Sequence, residues 1–433
     1  MENYLRGFVG VAVLLTIGFL FSTNKRAIDW RLVATGVILQ ILFGLLVMKI
    51  GFIAGAFNAL SRGFVTFLGF SQVGAQFLFA DLATPSGEKS IGVIFAFQIL
   101  PTVIFFSTVS AGLYYLGILQ KIVFGIAWLM ARTMRLSGSE SLAAAGNIFL
   151  GQTEAPLLVR PFVPQMTYSE LMCLMTGGMA TIAGGVLAAY VSFLGGDDPA
   201  QKAIYAAHLL SASLMNAPAG IVFAKMLIPE TQADRIDREL KVNKENLGVN
   251  LIDALSNGAT DGLKLALNIG GMLLAFIALI AMVNYLLKDM IGEWLGLNAW
   301  IVESTAGQFK GFSLEYILGQ IFRPIAFAIG VEWKDSLQVG SLLGQKTAIN
   351  EFVAYLGLAE MKTAGSISPK SILIATFALC GFSNFSSIAI QIGGIGSMAP
   401  NQQGNLSKLG FRALLGASLA CLMTAAVAGA IAG

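Results

Sequence analysis

The sequence predicts an all-α polytopic membrane protein, and three observations carry that reading. Of its 433 residues, 56% are hydrophobic and only 12% are charged, against about a quarter charged in a soluble domain. Mean hydropathy is +0.75. Uncharged runs long enough to cross a bilayer, roughly 17–25 residues, recur along the whole chain. Net charge is +3, too small to suggest a nucleic-acid partner. Cys173, Cys380 and Cys421 are scattered with no C-x-x-C spacing, and His208 is the one histidine. Neither a zinc site, a disulfide framework nor a histidine-based triad is supported.

Taken in order, the runs fall at 7–24, 32–48, 91–120, 171–196, 203–224, 265–287, 371–395 and 413–433. The first is read as a retained helix, since no small-residue cleavage site follows it. Eight spans put both termini on one side. Lys25, Arg26 and Arg31 follow the first span. Lys225, Arg235, Arg238, Lys241 and Lys244 follow the fifth, and Lys408 and Arg412 the seventh. The positive-inside rule then places these loops in the cytoplasm and both termini outside. Residues 51–80, less apolar and containing Arg62, read as an amphipathic interfacial helix. Residues 229–262 read as a charged cytoplasmic linker.

Two regions hold apolar pieces too short to cross. In 138–164 the run Ala143-Ala144-Ala145 leads to Asn147, then Gly151-Gln152-Thr153-Glu154-Ala155-Pro156. In 333–360 the run from Val339 leads to Lys346, Asn350 and Glu351. Each reads as helix, break, helix, which suits a re-entrant hairpin. The order span, short piece, hairpin, span, span then occurs twice, over 91–228 and 263–433, after an N-terminal segment 1–90. Gly177-Gly178 and Gly184-Gly185 interrupt one span as Gly381 to Ser387 interrupt another. The charge pattern gives the two sets opposite directions, an inverted repeat of the secondary-transporter kind, with a site at the repeat interface.

At the hairpin breaks sit Glu154 and Glu351. A carboxylate at membrane depth costs about 2.5–3.5 kcal/mol on insertion scales, so two at equivalent places point to function beyond helix capping or pairing with Arg160 or Lys346. Gln152, Thr153, Asn384, Ser386 and Ser387 are neutral hydrogen-bonding groups suited to a hydroxyl- and amide-rich solute. Interhelical bonding, worth about 0.6 kcal/mol each, is the bland alternative. Asn147 and Thr181 offer hard oxygens beside breaks where carbonyls are freed, which suits a small hard cation. His208, inside an apolar span, reads as packed. Gly340 to Thr347 has the wrong spacing for a phosphate-binding loop. An intramembrane protease lacks its Gly-x-Gly-Asp or Ser–His machinery, so the chain is not expected to be an enzyme. A passive channel leaves the two polar-tipped hairpins unexplained.

The segments Asn147 to Phe162, Asn350 to Tyr355 and Cys380 to Ile390 resemble the signature segments of the concentrative nucleoside transporter family, in order and over nearly the whole chain. The resemblance implies a Na⁺-coupled symporter in a bacterial inner membrane, a homotrimer whose transport domain slides across the bilayer as an elevator. It implies that Gln152, Thr153, Glu154 and Val186 face the nucleobase. Glu351, Asn384 and Ser387 would hold the ribose, with Phe382 and Ile388 packing around it. Asn147, Thr181 and the carbonyls of Leu150 and Ile182 would coordinate Na⁺. Uridine is the expected substrate, with adenosine and other nucleosides further candidates. Leu150 and Thr181 depart from residues typical of the family but keep the coordinating oxygen. Proton-coupled members resemble Gly-Gln-Ser-Glu-Asn at the first hairpin. The Thr153-Glu154-Ala155-Pro156 pattern therefore favours Na⁺, with proton coupling the alternative.

Overall fold

The computed structural model describes residues 2–84, 94–240 and 248–432. Part of the expected linker, with Lys241 and Lys244, lies outside these residues, as do the first positions of the span expected at 91–120. All regular structure among the described residues is helical. The main helices are α1 (Glu2–Leu20), α2 (Trp30–Met48), α3 (Gly51–Phe79), α4 (Leu100–Tyr115), α5 (Ile118–Met134), α6 (Gly138–Gly146), α7 (Tyr168–Ala180) and α8 (Gly184–Gly195). They continue as α9 (Pro199–Leu227), α10 (Leu251–Asn284), α11 (Leu314–Ala328), α12 (Ser336–Ala348), α13 (Glu351–Thr363), α14 (Pro369–Leu379), α15 (Phe385–Met398) and α16 (Gln403–Ala432).

Seven helical stretches among the described residues are long and apolar enough to cross a membrane. Six coincide with expected spans. The seventh is Gly55–Ala83, where an interfacial helix was expected. It is α3 followed by a 3₁₀ turn at Ala80–Ala83, of mean hydropathy 1.3, and qualifies by length and composition. Two expected spans fall short. The apolar stretch Tyr4–Leu20 is under 18 residues, and the run at 371–395 is cut into α14 and α15, of 11 and 14 residues. Averaged hydropathy runs straight over that cut because Cys380 and Phe382 offset the polar residues beside them.

Burial separates an inner bundle from an outer layer. The windows through α7–α8, α9 and α16 are 94%, 78% and 83% buried, against 17% for α3, 22% for α4 and 17% for α10. Inside, α9 packs on α16, α2, α7 and α8, and Gln40 of α2 donates to Thr424 of α16 at 2.7 Å. In the outer layer α4 and α10 lie against each other through small residues. A Cβ at Gly258 would stand 2.8 Å from the carbonyl oxygen of Ser107, and one at Gly262 2.8 Å from Cα of Ile104. Close backbone approach of this kind is how helices associate where solvent gives no hydrophobic drive. Between the layers, the Phe106 ring of α4 lies directly against Gly184 and 3.6 Å from where a Cβ of Gly185 would be.

At one end of the inner bundle, capping boxes start both α6 (Ser137, Glu140) and α7 (Thr167, Glu170). Lys225, at the end of α9, pairs with Glu140 at 2.5 Å and Glu230 at 3.6 Å, and donates to Ser169 at 2.9 Å. The first part of the linker lies across this cluster, with the Gly138 amide donating to the Asp237 carbonyl at 2.9 Å. Charges this well buried are tolerated because each has a partner.

The centre of the bundle is the meeting of two broken helices, α7–α8 and α14–α15. Carbonyls at the end of a helix have no partner within it. Here Asn216 of α9 donates its amide to both Ala180 O and Cys380 O, each at 2.8 Å. The Cys421 thiol of α16 reaches the same two carbonyls at 3.4 and 3.1 Å. The Phe382 amide donates to Thr181 O at 3.2 Å, joining one break to the other. Gly381 turns at φ +151°, and a Cβ there would stand 2.6 Å from Cys421 Sγ and 2.7 Å from Ala180 O. Asn216→Leu leaves Ala180 O and Cys380 O only the one weak S–H donor of Cys421, so at least one buried acceptor is stranded at about 1–3 kcal/mol. It is expected to lower the melting temperature of the purified protein clearly, as is Gly381→Ala. An unchanged melting temperature in both would show that the junction is not stabilising.

Candidate substrate and cation site

Both helix–break–helix regions point at this junction. α6 ends at Gly146, and a turn leads through Gln152 to a 3₁₀ turn, Ala155–Val159, with Pro156 at its start. α12 ends at Ala348, and Asn350 starts α13 by accepting the Val353 amide at 3.0 Å. Lys346, itself buried, donates to Ala378 O at 2.9 Å near the end of α14. α12 and α14 are thereby joined through an ammonium set against a helix C-terminus.

A chain of buried hydrogen bonds connects the two tips. Gln391 of α15 donates to Gln152 Oε1 at 3.2 Å and to Met175 O at 3.1 Å. Gln152 Nε2 donates to Ser387 Oγ at 3.1 Å. Asn384 caps α15 by accepting the Ser387 amide at 2.9 Å, and takes a further bond from Ser386 Oγ at 2.7 Å. Its own amide donates to Glu351 Oε2 at 2.8 Å, while the Tyr190 hydroxyl of α8 donates to Glu351 Oε1 at 2.8 Å. The Glu351 carboxylate is thus held by α8 and by the start of α15, and the chain runs on from there to the turn at Gln152 and to α7.

The structure brings together Gln152, Ser387, Asn384 and Glu351, all expected as ligands. Thr153 is half-buried, its methyl 3.4 Å from where a Cβ of Gly394 would be. Val186 is buried on α8, one turn before Tyr190 and so on its face. Phe382 is half-buried within the second break, and Ile388 packs on Gly410 of α16. Glu154 stands apart. It is exposed, and its carboxylate lies back against Gly151, off the hydrogen-bonded chain. The turn at Gly151, closed by the Glu154 and Ala155 amides on the Gly151 carbonyl at 3.2 and 3.0 Å, directs it there.

Asn147 and Thr181 converge on Gly177. The Thr181 hydroxyl donates to Gly177 O at 2.9 Å, and Asn147 Nδ2 lies 3.1 Å from where a Cβ of Gly177 would be. Asn147 is 1% exposed, yet neither polar atom of its side chain has a protein partner. An orphaned amide oxygen in a buried break is what a hard cation requires, and a buried polar group left without a partner is costly. Leu150 follows in the same turn, and Ile182 is fully buried in the first break. His208 packs edge-on to Tyr205 with ring centres 6.0 Å apart, as a packed histidine should.

Three family models match successive stretches of the chain. The N-terminal region of Na⁺ dependent nucleoside transporters matches residues 9–82, a nucleoside-recognition Gate model 96–197, and the C-terminal region of the same transporters 208–429. The transporter YutK of Bacillus subtilis is 41% identical, with 99% of each chain covered. The chain belongs to the Na⁺-dependent nucleoside transporter family. The N- and C-terminal models it matches are those of Na⁺-dependent transporters, and its relatives are transporters. Solute carrier family 28 member 3 of mouse is 42% identical over 99% of this chain. The chain spans 59% of that relative's length. Among solved structures, CNTnw in an inward-facing, substrate-bound state is 37% identical with TM-score 0.87, covering 99% of both chains. A variant of CNTnw in an outward-facing state is 38% identical with TM-score 0.89, covering 100% of this chain and 98% of that one.

Sequence reasoning missed Tyr190, Gln391 and Asn216. Gln391 and Asn216 are lone amides in apolar runs, and the cost argument applied to the glutamates would have marked them. Tyr190 carried no signal, since an aromatic residue in an apolar run reads as packing. Gln391→Leu leaves Gln152 Oε1 and Met175 O without their donor. It is expected to weaken nucleoside binding about tenfold by releasing Gln152, measured by calorimetric titration; unaltered affinity would show that Gln391 does not hold Gln152 in place.

Proposed function

We propose that the chain is a Na⁺/nucleoside symporter that imports nucleosides, uridine foremost and adenosine among others, across a bacterial inner membrane. One observation carries the reading: Glu351 receives a donor from each of two broken helices, facing a second tip that offers an amide and a hydroxyl. A carboxylate accepts from ribose hydroxyls, and an amide can pair with a base edge in either sense. Glu351, Asn384 and Ser387 are assigned to the ribose, with Phe382 and Ile388 around it. Gln152, Thr153 and Val186 are assigned to the base. Glu154, lying outside the hydrogen-bonded chain, is free to swing onto the base edge when substrate enters. Asn147, Thr181 and the carbonyls of Leu150 and Ile182 take the Na⁺.

On this reading 138–164 and 333–360 are re-entrant hairpins and 91–228 and 263–433 are inverted repeats, joined by the linker 229–262. The broken pair α14–α15 and the short α1 complete eight spans, with α3 along the interface and both termini outside the cell. The well-buried inner bundle with both hairpins is the moving domain of an elevator. The sparsely buried α3, α4 and α10 face lipid and the trimer partners. The inward- and outward-facing states of CNTnw support two positions of such a domain, and the full-length likeness to YutK supports the bacterial membrane. Coupling then means that Na⁺ and nucleoside raise each other's affinity for one state.

Glu351→Gln and Asn384→Ala are expected to abolish nucleoside uptake while the protein still reaches the membrane; normal uptake by either would sink the site assignment. Proteoliposomes given radiolabelled uridine or adenosine are expected to accumulate it under an inward Na⁺ gradient and not under a pH gradient alone. Accumulation on the pH gradient without Na⁺ would establish proton coupling instead.

A further inference from the structure

We propose that Tyr190 is a positioning residue that transmits the effect of Na⁺ to the ribose-binding carboxylate. The inference rests on the reading of Glu351 as the ribose ligand and of the break at Thr181 as part of the cation site. α8 starts at Gly184, directly after that break. The Gly184 amide donates to Phe149 O at 3.2 Å, which ties the start of α8 to the hairpin turn holding Asn147 and Leu150. Tyr190 lies six residues on, about 9 Å along the axis, in one unbroken helix that begins at Gly184 and runs to Gly195. Movement at the break is therefore carried rigidly to the phenol.

The ring has no freedom to absorb that movement. It is fully buried, stacked on Tyr355 with centres 4.2 Å apart and set edge-on to Phe352 at 4.9 Å. Tyr355 is fixed in turn by its hydroxyl, which donates to Thr376 O of α14 at 2.8 Å. The polar tip of Tyr190 meets one group, Glu351 Oε1, in a bond to a carboxylate of the stronger, charge-assisted kind. Oε2 is held by Asn384, at the start of the half-helix after the second break. The carboxylate is thus aimed by one donor from each broken helix, and the donor on the cation side is Tyr190. A cation organising the first break fixes α8 and so fixes the direction in which Glu351 accepts ribose hydroxyls. By reciprocity, ribose on Glu351 tightens the cation site.

A tyrosine serving only to pack would be replaced by phenylalanine with a loss of affinity that is the same at every Na⁺ concentration. The test uses the full-length purified protein. Uridine affinity is measured by calorimetry at saturating Na⁺ and with Na⁺ replaced by choline. Na⁺ half-saturation without nucleoside is read from the shift in melting temperature. In Tyr190→Phe, uridine affinity at saturating Na⁺ is expected to fall about tenfold, and the ratio of affinities with and without Na⁺ to fall at least about fivefold. Na⁺ half-saturation without nucleoside stays within about twofold of wild type, since no cation ligand is touched. A ratio equal to wild type, with affinity lowered alike in both conditions, overturns the inference while leaving the symport reading intact. Wild-type protein that binds uridine equally with and without Na⁺ overturns both. Should Tyr190→Phe not fold, Tyr355→Phe keeps the phenol–carboxylate bond but frees the ring behind it. A lowered ratio there supports the link, and an unchanged one overturns it.

Discussion

Every break in a helix inside a bilayer releases backbone carbonyls and amides that no solvent can satisfy. The centre of this protein has two such breaks side by side, and the surrounding architecture depends on how they are satisfied. Asn216 and Cys421 serve the carbonyls at the ends of α7 and α14, Lys346 serves Ala378, and the two breaks bond to each other through Phe382 and Thr181. The long helices α9 and α16 run through the middle of the inner bundle and carry two of these side chains. With those groups satisfied, the remaining polarity at the junction, the unpartnered Asn147 above all, stands ready for a ligand.

The division between structural and binding polarity follows from the same accounting. Donors that end in closed bonds, such as Nδ2 of Asn216 on Ala180 O and Cys380 O, hold the scaffold. Groups with spare acceptor capacity, such as the carboxylate of Glu351, or with none of their side-chain capacity used, such as Asn147, are the ones the proposed site would draw on. Sodium dependence fits naturally into this scheme. On the proposed assignment a cation would complete a set offered by the break at Thr181 and the turn from Asn147 to Leu150, with no acidic ligand in the hydrocarbon region.

Much of this was legible in the sequence because desolvation makes polar groups conspicuous in an apolar chain. Glu351, Gln152, Asn384 and Ser387 stood out as polar residues at breaks in apolar helices, and the structure brings all four into one chain of hydrogen bonds. The same reasoning grouped Glu154 with them, and its carboxylate lies back against Gly151 beside that chain, a detail of the turn that spacing cannot show. The number of spans was less legible, since a hydropathy window averages α14 and α15 into one run and reads the glycines of α3 as weakness. Tyr190 was invisible for a simpler reason. Its role lies in a single oxygen at the end of a ring whose burial any core would explain.

The glycine pair at the start of α8 has a mechanical consequence. Phe106 of α4 rests in the hollow left by Gly184 and Gly185, and the next residues along α8 are Val186 and Leu187. The hollow is two residues long, about 3 Å along the helix. Any slide of α8 past α4 must lift the ring out and carry it over branched side chains. In the proposed elevator motion the contact would work as a detent, a shallow notch in which the moving part comes to rest. Its depth would then set how long the inner bundle dwells in this position.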